Sequence, residues 1–498
     1  MRTNVIIFLL CCFTYGSNNL SGQQVKSFKR GLAYSIPYTE DLPTLSKGIS
    51  WFYNWGQTPG LTIANSFDPY LDFIPMAWNG LDTVVMKNFY STHPNIKYIL
   101  GFNEPNFLAQ ANLTPTQAAA KWKLIERIAT LFNLKIVGPA LNYAPLTGAV
   151  KENGITYTDP IQYMDDFIKA CPTCRFDYIG VHNYMNTENA LAGDLTRYKK
   201  YNKPIWLTEF CAYDATQGLT PDLQKDYMVD ALSYLENDST IYRYSWFIGR
   251  SSAGDTGFPY NSLLTKNDRG VLTELGDIYI NMSSFDKNLY FSTLDTIQAE
   301  KFSNSHSASL RRIDAVSGNL YLNNFYFKDW ASYQVDIPES KYYTITFKIA
   351  CIDGTTLQIL DKDGNLLKSQ AMTGTGGLTS WGYRTLIVTL PAGKQTIQLK
   401  SMGEGCNLDW FTFANINTAV QNVEISRLFC LYPNPMGDIL YLDTQENTHD
   451  IRITDTLGKV VFQGTNEKEI NTSNFNKGIY IYQLTFNDGK KISGKILK

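Results

Sequence analysis

The 498-residue sequence carries almost no net charge, formally −2, and contains no long run of lysine or arginine. Without a basic patch it presents no electrostatic footprint for nucleic acid or for an anionic membrane surface. Long apolar stretches are missing too: beyond the first residues no segment has the length that crossing a bilayer requires. Cysteine is sparse, with eight in the whole chain. Cys171 and Cys174 form a CxxC pair, but a second ligand pair that would complete a zinc site is not evident, and the surroundings are not thioredoxin-like. A neutral polymer fits this charge balance, as do many other ligands.

The start of the chain is the exception to the missing apolar runs. Arg2 precedes an unbroken apolar stretch, Val5 to Phe13, followed by small and polar residues through Gly16, Ser17, Ser21 and Gly22. This is the pattern of a secretory signal over residues 1–22, with cleavage after Gly16 or Gly22. Bulky Leu10 before Cys11 argues against a lipoprotein signal. In an exported chain, Cys171 and Cys174 are a candidate disulfide, and Cys351 and Cys406 a second one if their strands are neighbours. Aromatics are abundant at 14%, which suits sugar-stacking faces and β-sheet packing alike.

Between residues 28 and 284 short apolar runs alternate with helix-like stretches. Eight strands are expected: Arg30–Ser35, Ile49–Trp55, Leu71–Trp78, Tyr98–Glu104, Lys135–Leu141, Phe176–Tyr184, Pro204–Phe210 and Tyr242–Ile248. Helices are expected over Thr114–Phe132, Pro160–Ala170 and Pro221–Glu236, the first opened by a Thr-Pro cap. Strands alternating with helices imply parallel pairing, and eight such units predict a (β/α)8 TIM barrel. Residues 294–414 instead read as short alternating strands split by turns, a β-sandwich domain. A linker follows at 415–427 and a small C-terminal all-β domain at 428–498.

In a barrel of this kind the active site gathers where strands end. Glu104 ends the expected fourth strand and Glu209 the seventh, so both carboxylates point into one cleft. Glycoside hydrolysis needs such a pair: one acid protonates the departing oxygen, and the other carboxylate attacks the anomeric carbon or activates water. His182 and Tyr184 alternate onto one face of the sixth strand. Tyr184 is a candidate to orient the nucleophile and His182 to tune a carboxylate's protonation, although a hydrogen-bonded core histidine is the plainer reading. Tyr53, Asn54, Trp55, Trp78, Asn79 and Trp246 are candidate subsite walls.

Asn103-Glu104-Pro105 on strand four with Glu209 on strand seven resembles the superfamily of retaining (β/α)8 glycosidases. In that resemblance Glu104 is the acid/base, Asn103 bonds the sugar 2-hydroxyl, and Glu209 is the nucleophile. The series RGLAY, SWFYNW, FIPMAW, LGFNEPN, VGPAL, DYIGVHNY and PIWLTEF is similar to glycoside hydrolase family 128, which implies β-1,3-glucan as substrate. Family members usually read His-Trp-Tyr on strand six; Asn183 stands in the middle here, removing one stacking surface.

TIQAEKFS at 296–303, DWASYQVDIP and CNLDWFTF resemble a family 6 carbohydrate-binding module. That likeness implies a structural calcium near Gln298, Glu300 and Asp409, and sugar contacts at Tyr326, Trp381 and Asn407. LYPNP, DTLGKVV, NKGIYIYQL and a lysine-rich end resemble the C-terminal sorting domain of the Bacteroidetes type IX secretion system, which implies export from a Gram-negative cell. The expectation is a secreted or cell-surface monomer, an endo-β-1,3-glucanase working without a catalytic cofactor. Action on another β-glycan and a purely glycan-binding role stand as alternatives.

Overall fold

The computed structural model describes residues 26–213, 218–251, 260–315, 317–415, 429–444, 449–486 and 491–498. The expected signal segment lies outside them, as does the linker apart from Asn415. The chain divides into two compact units near residue 414.

In the first unit, eight short strands share one sheet: β1 (Arg30–Ala33), β2 (Trp51–Tyr53), β3 (Asp72–Phe73), β4 (Tyr98–Leu100), β5 (Lys135–Leu141), β6 (Tyr178–Asn183), β7 (Ile205–Phe210) and β8 (Ile241–Trp246). They pair in parallel in the order β3-β2-β1-β8-β7-β6-β5-β4. Leu100 N donates to Pro75 O and Ala77 N to Leu100 O, both at 2.9 Å, so the ends of the sheet meet and the barrel closes. The strands are almost wholly buried, as parallel strands walled by helices must be.

Seven α-helices occur among the described residues: α1 (Asp41–Leu45), α2 (Thr83–Thr92), α3 (Pro115–Leu131), α4 (Pro160–Ala170), α5 (Glu188–Tyr198), α6 (Pro221–Asn237) and α7 (Glu274–Asn281). Three of them start in the same way, with an oxygen-bearing cap before a proline. Thr114 accepts from Gln117 N while the Gln117 side chain accepts from Thr114 N, a complete capping box. Asp159 caps α4 through Ile161 N at 2.9 Å, and Thr220 caps α6 through Leu223 N at 3.2 Å.

Two expectations are corrected. The connection from β2 to β3 is made of turns, because Gly56, Pro59 and Gly60 interrupt any helical run. β4 stops at Leu100, so Glu104 sits in the turn beyond the strand and not at its last position.

Two six-stranded sheets follow the barrel. They meet through their buried faces, where Tyr333 of one packs edge-on to Phe411 of the other at 4.9 Å. Ion pairs fix them to the barrel: Arg311 to Asp226 of α6 at 2.8 Å, and Arg312 to Asp277 of α7 at 2.9 Å. Cys171 and Cys174 are joined by a disulfide. Cys351 and Cys406 lie on neighbouring strands yet are separate buried thiols, each turned toward a carbonyl, Thr373 O at 3.7 Å and Phe325 O at 3.8 Å. The second unit holds a three-stranded and a four-stranded sheet around a core that includes Leu440, Ile451, Ile453 and Leu484. No helix among the described residues is long and apolar enough to cross a membrane.

Replacing Thr114 by alanine removes the box and leaves a helix-end N–H unpaired. The expected loss is about 1 kcal/mol, read as a lower urea midpoint. A midpoint equal to that of the parent would show that the cap does not hold α3.

Candidate active site

The end of β7 carries the first of the two acidic groups. All six residues of IWLTEF are buried, and the register sets Glu209 beside His182 of β6. Glu209 is only 5% exposed, so its carboxylate needs protein partners in place of water. It has three. Tyr53 OH donates to Oε1 at 2.8 Å, Trp55 Nε1 donates to the same oxygen at 2.7 Å, and Tyr184 OH donates to Oε2. Hydrogen bonds to a charged acceptor are the stronger kind, and three of them fix both oxygens in direction.

Glu104 reaches the same place from the turn after β4. Its φ is +41°, a left-handed conformation that non-glycine residues adopt only when their surroundings impose it. Pro105 disfavours the ordinary helical alternative for the residue before it. The surrounding restraints are visible: Glu104 N donates to Ala140 O at 2.8 Å, and Phe107 N closes a turn on Glu104 O at 2.9 Å. Asn106 ties this turn to the loop after β5 through Asn142 O at 2.7 Å. Trp55, the indole donor to Glu209, is also left-handed with φ +61°.

Between the two carboxylates stands His182. Its Nδ1 is 3.0 Å from Glu104 Oε1 and 3.3 Å from Glu209 Oε2. A lone pair facing two carboxylate oxygens would be repelled, so Nδ1 carries its proton there. Burial lowers the imidazole pKa, but the charge of Glu209 and the hydrogen bond and charge of Glu104 outweigh it, and the net value is raised. Nε2 is buried without a partner. Asn142 Nδ2 supplies a second donor to Glu104 Oε1 at 3.1 Å. Burial and the neighbouring carboxylates push the Tyr53 and Tyr184 hydroxyls well above their usual range, so both act as donors. Ligand atoms of Glu104, His182 and Glu209 all lie within 4.8 Å of one another.

These groups form the floor of a cleft of about 680 Å³ walled by Trp55, Trp78, Asn103, Tyr184 and other residues. Asn103 Nδ2 donates to Gln110 Oε1 at 3.2 Å, and its Oδ1 is buried without a partner. Tyr53 is fully buried beneath the cleft. Three expected wall residues lie elsewhere. Asn54 folds back on its own turn, binding Thr58 O and Gly56 N, and the Asn79 carbonyl receives Lys121. Trp246 is fully buried behind β8, where its Nε1 donates to Asn261 O at 2.8 Å. The next residue, Phe247, faces the cleft in its place. Asn183 turns away to donate to Asp194 at 2.8 Å. Sequence reading passed over Asn142, Gln110, Tyr213 and Phe247, all of which lie on connections with no motif of their own.

On the two sheets after the barrel, Asn407 is buried and engaged on both side-chain atoms, by Leu378 O and Asn324 N. Tyr326 is half exposed. Trp381 packs against Tyr321 at 5.5 Å with Lys348 over its ring. The expected calcium ligands fit the ion only in part. Glu300 is buried, its Oε2 has no partner, and burial pushes its carboxyl up to about 7. Asp409 is already neutralised by Lys348 at 2.6 Å, and Gln298 sits beside it on a paired strand.

Comparison with known proteins adds the family context. Residues 31–279 match the family described as glycosyl hydrolase catalytic core, 298–415 the carbohydrate binding module (family 6), and 430–498 the secretion system C-terminal sorting domain. Alkali-sensitive linkage protein 1 of Schizosaccharomyces pombe is 31% identical over 264 residues, 51% of this chain and 45% of that protein. The chain thus spans about half the length of this curated relative. Among solved structures, a GH128 subgroup II endo-β-1,3-glucanase from Sorangium cellulosum is 38% identical, covering 51% of this chain and 97% of that one, with a TM-score of 0.44. The corresponding Pseudomonas viridiflava enzyme is 37% identical, covering 51% and 98%, at 0.46. A carbohydrate binding module from Cellvibrio mixtus lichenase 5A, solved with cellotriose, is 27% identical over 25% of this chain and 98% of that one, at 0.24.

The raised pKa of His182 makes a pH-dependent prediction. The folded protein holds this proton more tightly than the unfolded chain, so the contribution to stability is complete below about 6.5 and lost as pH rises through the folded-state value. The melting-temperature gap between the parent and His182→Gln should therefore narrow as pH rises above neutrality. A gap that widens would contradict the assigned protonation.

Proposed function

The chain belongs to the glycosyl hydrolase catalytic-core family, and we propose that it is an exported retaining enzyme cutting β-1,3-glucan chains internally. The observation that carries this reading is the pair of carboxylates, Glu104 and Glu209, with oxygens within 4.8 Å in one cleft. Carboxyl groups about 5–5.5 Å apart leave no room for a water between the second carboxylate and the anomeric carbon and favour a covalent intermediate, whereas inversion needs roughly 6.5–9.5 Å.

In the first step Glu209 attacks the anomeric carbon while Glu104 gives its proton to the glycosidic oxygen. The carbon–oxygen bond breaks and the leaving chain departs with that proton. In the second step Glu104 takes a proton from water, whose oxygen displaces Glu209 and restores both residues. Tyr53, Trp55 and Tyr184 hold the nucleophile in its line of attack. Asn103 lines the cleft and is the proposed partner of the sugar 2-hydroxyl. Trp55, Trp78, Tyr213 and Phe247 offer faces on which glucose rings can stack.

The substrate class and internal cleavage follow the motif series along the strands, and by sequence identity they agree with the two bacterial enzymes above. The sorting domain supports export, for which type IX secretion from a Gram-negative cell is the proposed route. The family 6 module supports carbohydrate binding. Within it, we assign Glu300 as the anchor of a structural calcium, supported by its buried, unpartnered oxygen and by the oxygen preference of that ion.

Glu209→Gln is expected to lower turnover by more than about a thousandfold while leaving polymer binding in place; unchanged turnover would remove Glu209 as nucleophile. Laminarin and curdlan should be cut, and cellulose and mannan spared. Cleavage of the latter pair alone would overturn the substrate class, and binding without any cleavage would favour a glycan-binding protein. Chelation of calcium should lower the melting temperature of the parent but not of Glu300→Gln, and equal melting with and without chelator would refute the calcium site.

A further inference from the structure

We propose that the glucan chain continues out of the catalytic cleft along a polar groove between α5, α6 and the Asn304–Ser307 segment of the next module, so that barrel and module hold one polymer together. The proposal rests on the glycosidase reading and extends it to a surface outside the cleft.

Continuity is the first argument. Tyr184 lines both the catalytic cleft and a neighbouring cavity of about 750 Å³ that follows the start of α5 and the face of α6. Glu188, Asn189 and Asp230 of that cavity also line a third one of about 550 Å³, whose far wall is Asn304–Ser307. The path follows α6 from Leu223 to Asn237, about 21 Å at 1.5 Å per residue, which is room for several sugar units. The far wall stands in a set position. Ser233 Oγ of α6 lies 3.3 Å from Ser305 Oγ, and the Arg311–Asp226 and Arg312–Asp277 pairs hold the module to the barrel.

Chemistry is the second argument. Neither cavity along this path is lined by lysine or arginine. Hydroxyls, amides and carboxyls stand beside apolar Met185, Leu219 and Leu223, a mixed surface suited to the polar edges and apolar faces of a neutral sugar chain and repellent to a phosphorylated or sulfated one. Asp230, raised to about 7 by burial and then by Asp226, Glu188 and Asp329, can donate as well as accept a hydrogen bond near neutral pH.

The test compares a long substrate with a short one. In Ser305→Trp, which narrows the groove far from the carboxylates, the ratio of kcat/KM for laminarin to kcat/KM for laminaripentaose should fall by roughly tenfold. Asn189→Ala, on the wall shared by both cavities, should lower the same ratio by a few-fold. Partial misfolding depresses both substrates together and leaves the ratio alone, so an unchanged ratio in both variants overturns the groove. If the parent cuts neither substrate, the glycosidase reading has failed, and the groove is then judged by binding: a laminarin Kd weakened in Ser305→Trp supports it and an unaltered Kd overturns it.

Discussion

The site depends on one buried carboxylate being held by three donors. Glu209 is taken almost wholly out of water, which for a lone carboxylate is prohibitive. Tyr53, Trp55 and Tyr184 make it tolerable, and each comes from a different part of the barrel rim: the end of β2, the turn after it, and the end of β6. Three directions of approach leave the carboxylate little freedom. The nucleophilic role proposed for Glu209 would gain from this, since attack on an anomeric carbon needs one oxygen on one line. The barrel is therefore more than a support, because its closure brings β2, β6 and β7 round a common mouth.

The opposite carboxylate is placed by strain that neighbouring elements offset. Glu104 and Trp55 both hold left-handed backbone conformations, each unfavourable by about 1–3 kcal/mol. The turn bearing Glu104 is clamped onto the β5 connection through Ala140 O and Asn142. His182 then bridges the two acids with a single protonated nitrogen. The imidazole proton stands between the two carboxyl groups, 3.0 Å from one and 3.3 Å from the other at its nitrogen.

What could be read in the sequence was what depends on local chemistry. The Thr-Pro opening located α3 because caps act within one helical turn. Glu104 and Glu209 stood in motifs whose strand positions implied a shared cleft. Faces were harder to read. Trp246 and Phe247 are adjacent, so one points behind the barrel and the other into the cleft, and a one-residue shift exchanges them. Asn142 and Gln110 reach the cleft from loops whose course is set by tertiary hydrogen bonds that leave no periodic trace. Asn407 carries the polarity of a sugar ligand, but its partners are the backbone groups of Leu378 and Asn324, which only the folded strands bring near.

The modules share one logic, a catalytic barrel fixed against a carbohydrate-binding module and followed by a sorting domain. The proposed chemistry of the barrel is double displacement by the two carboxylates. The direct measurement is the anomeric configuration of the first product, followed by proton NMR during the opening minutes of hydrolysis of a β-1,3-linked oligosaccharide. Retention predicts that the β-anomer appears first and then mutarotates. Initial appearance of the α-anomer would mean direct attack by water, and would contradict Glu209 as a nucleophile.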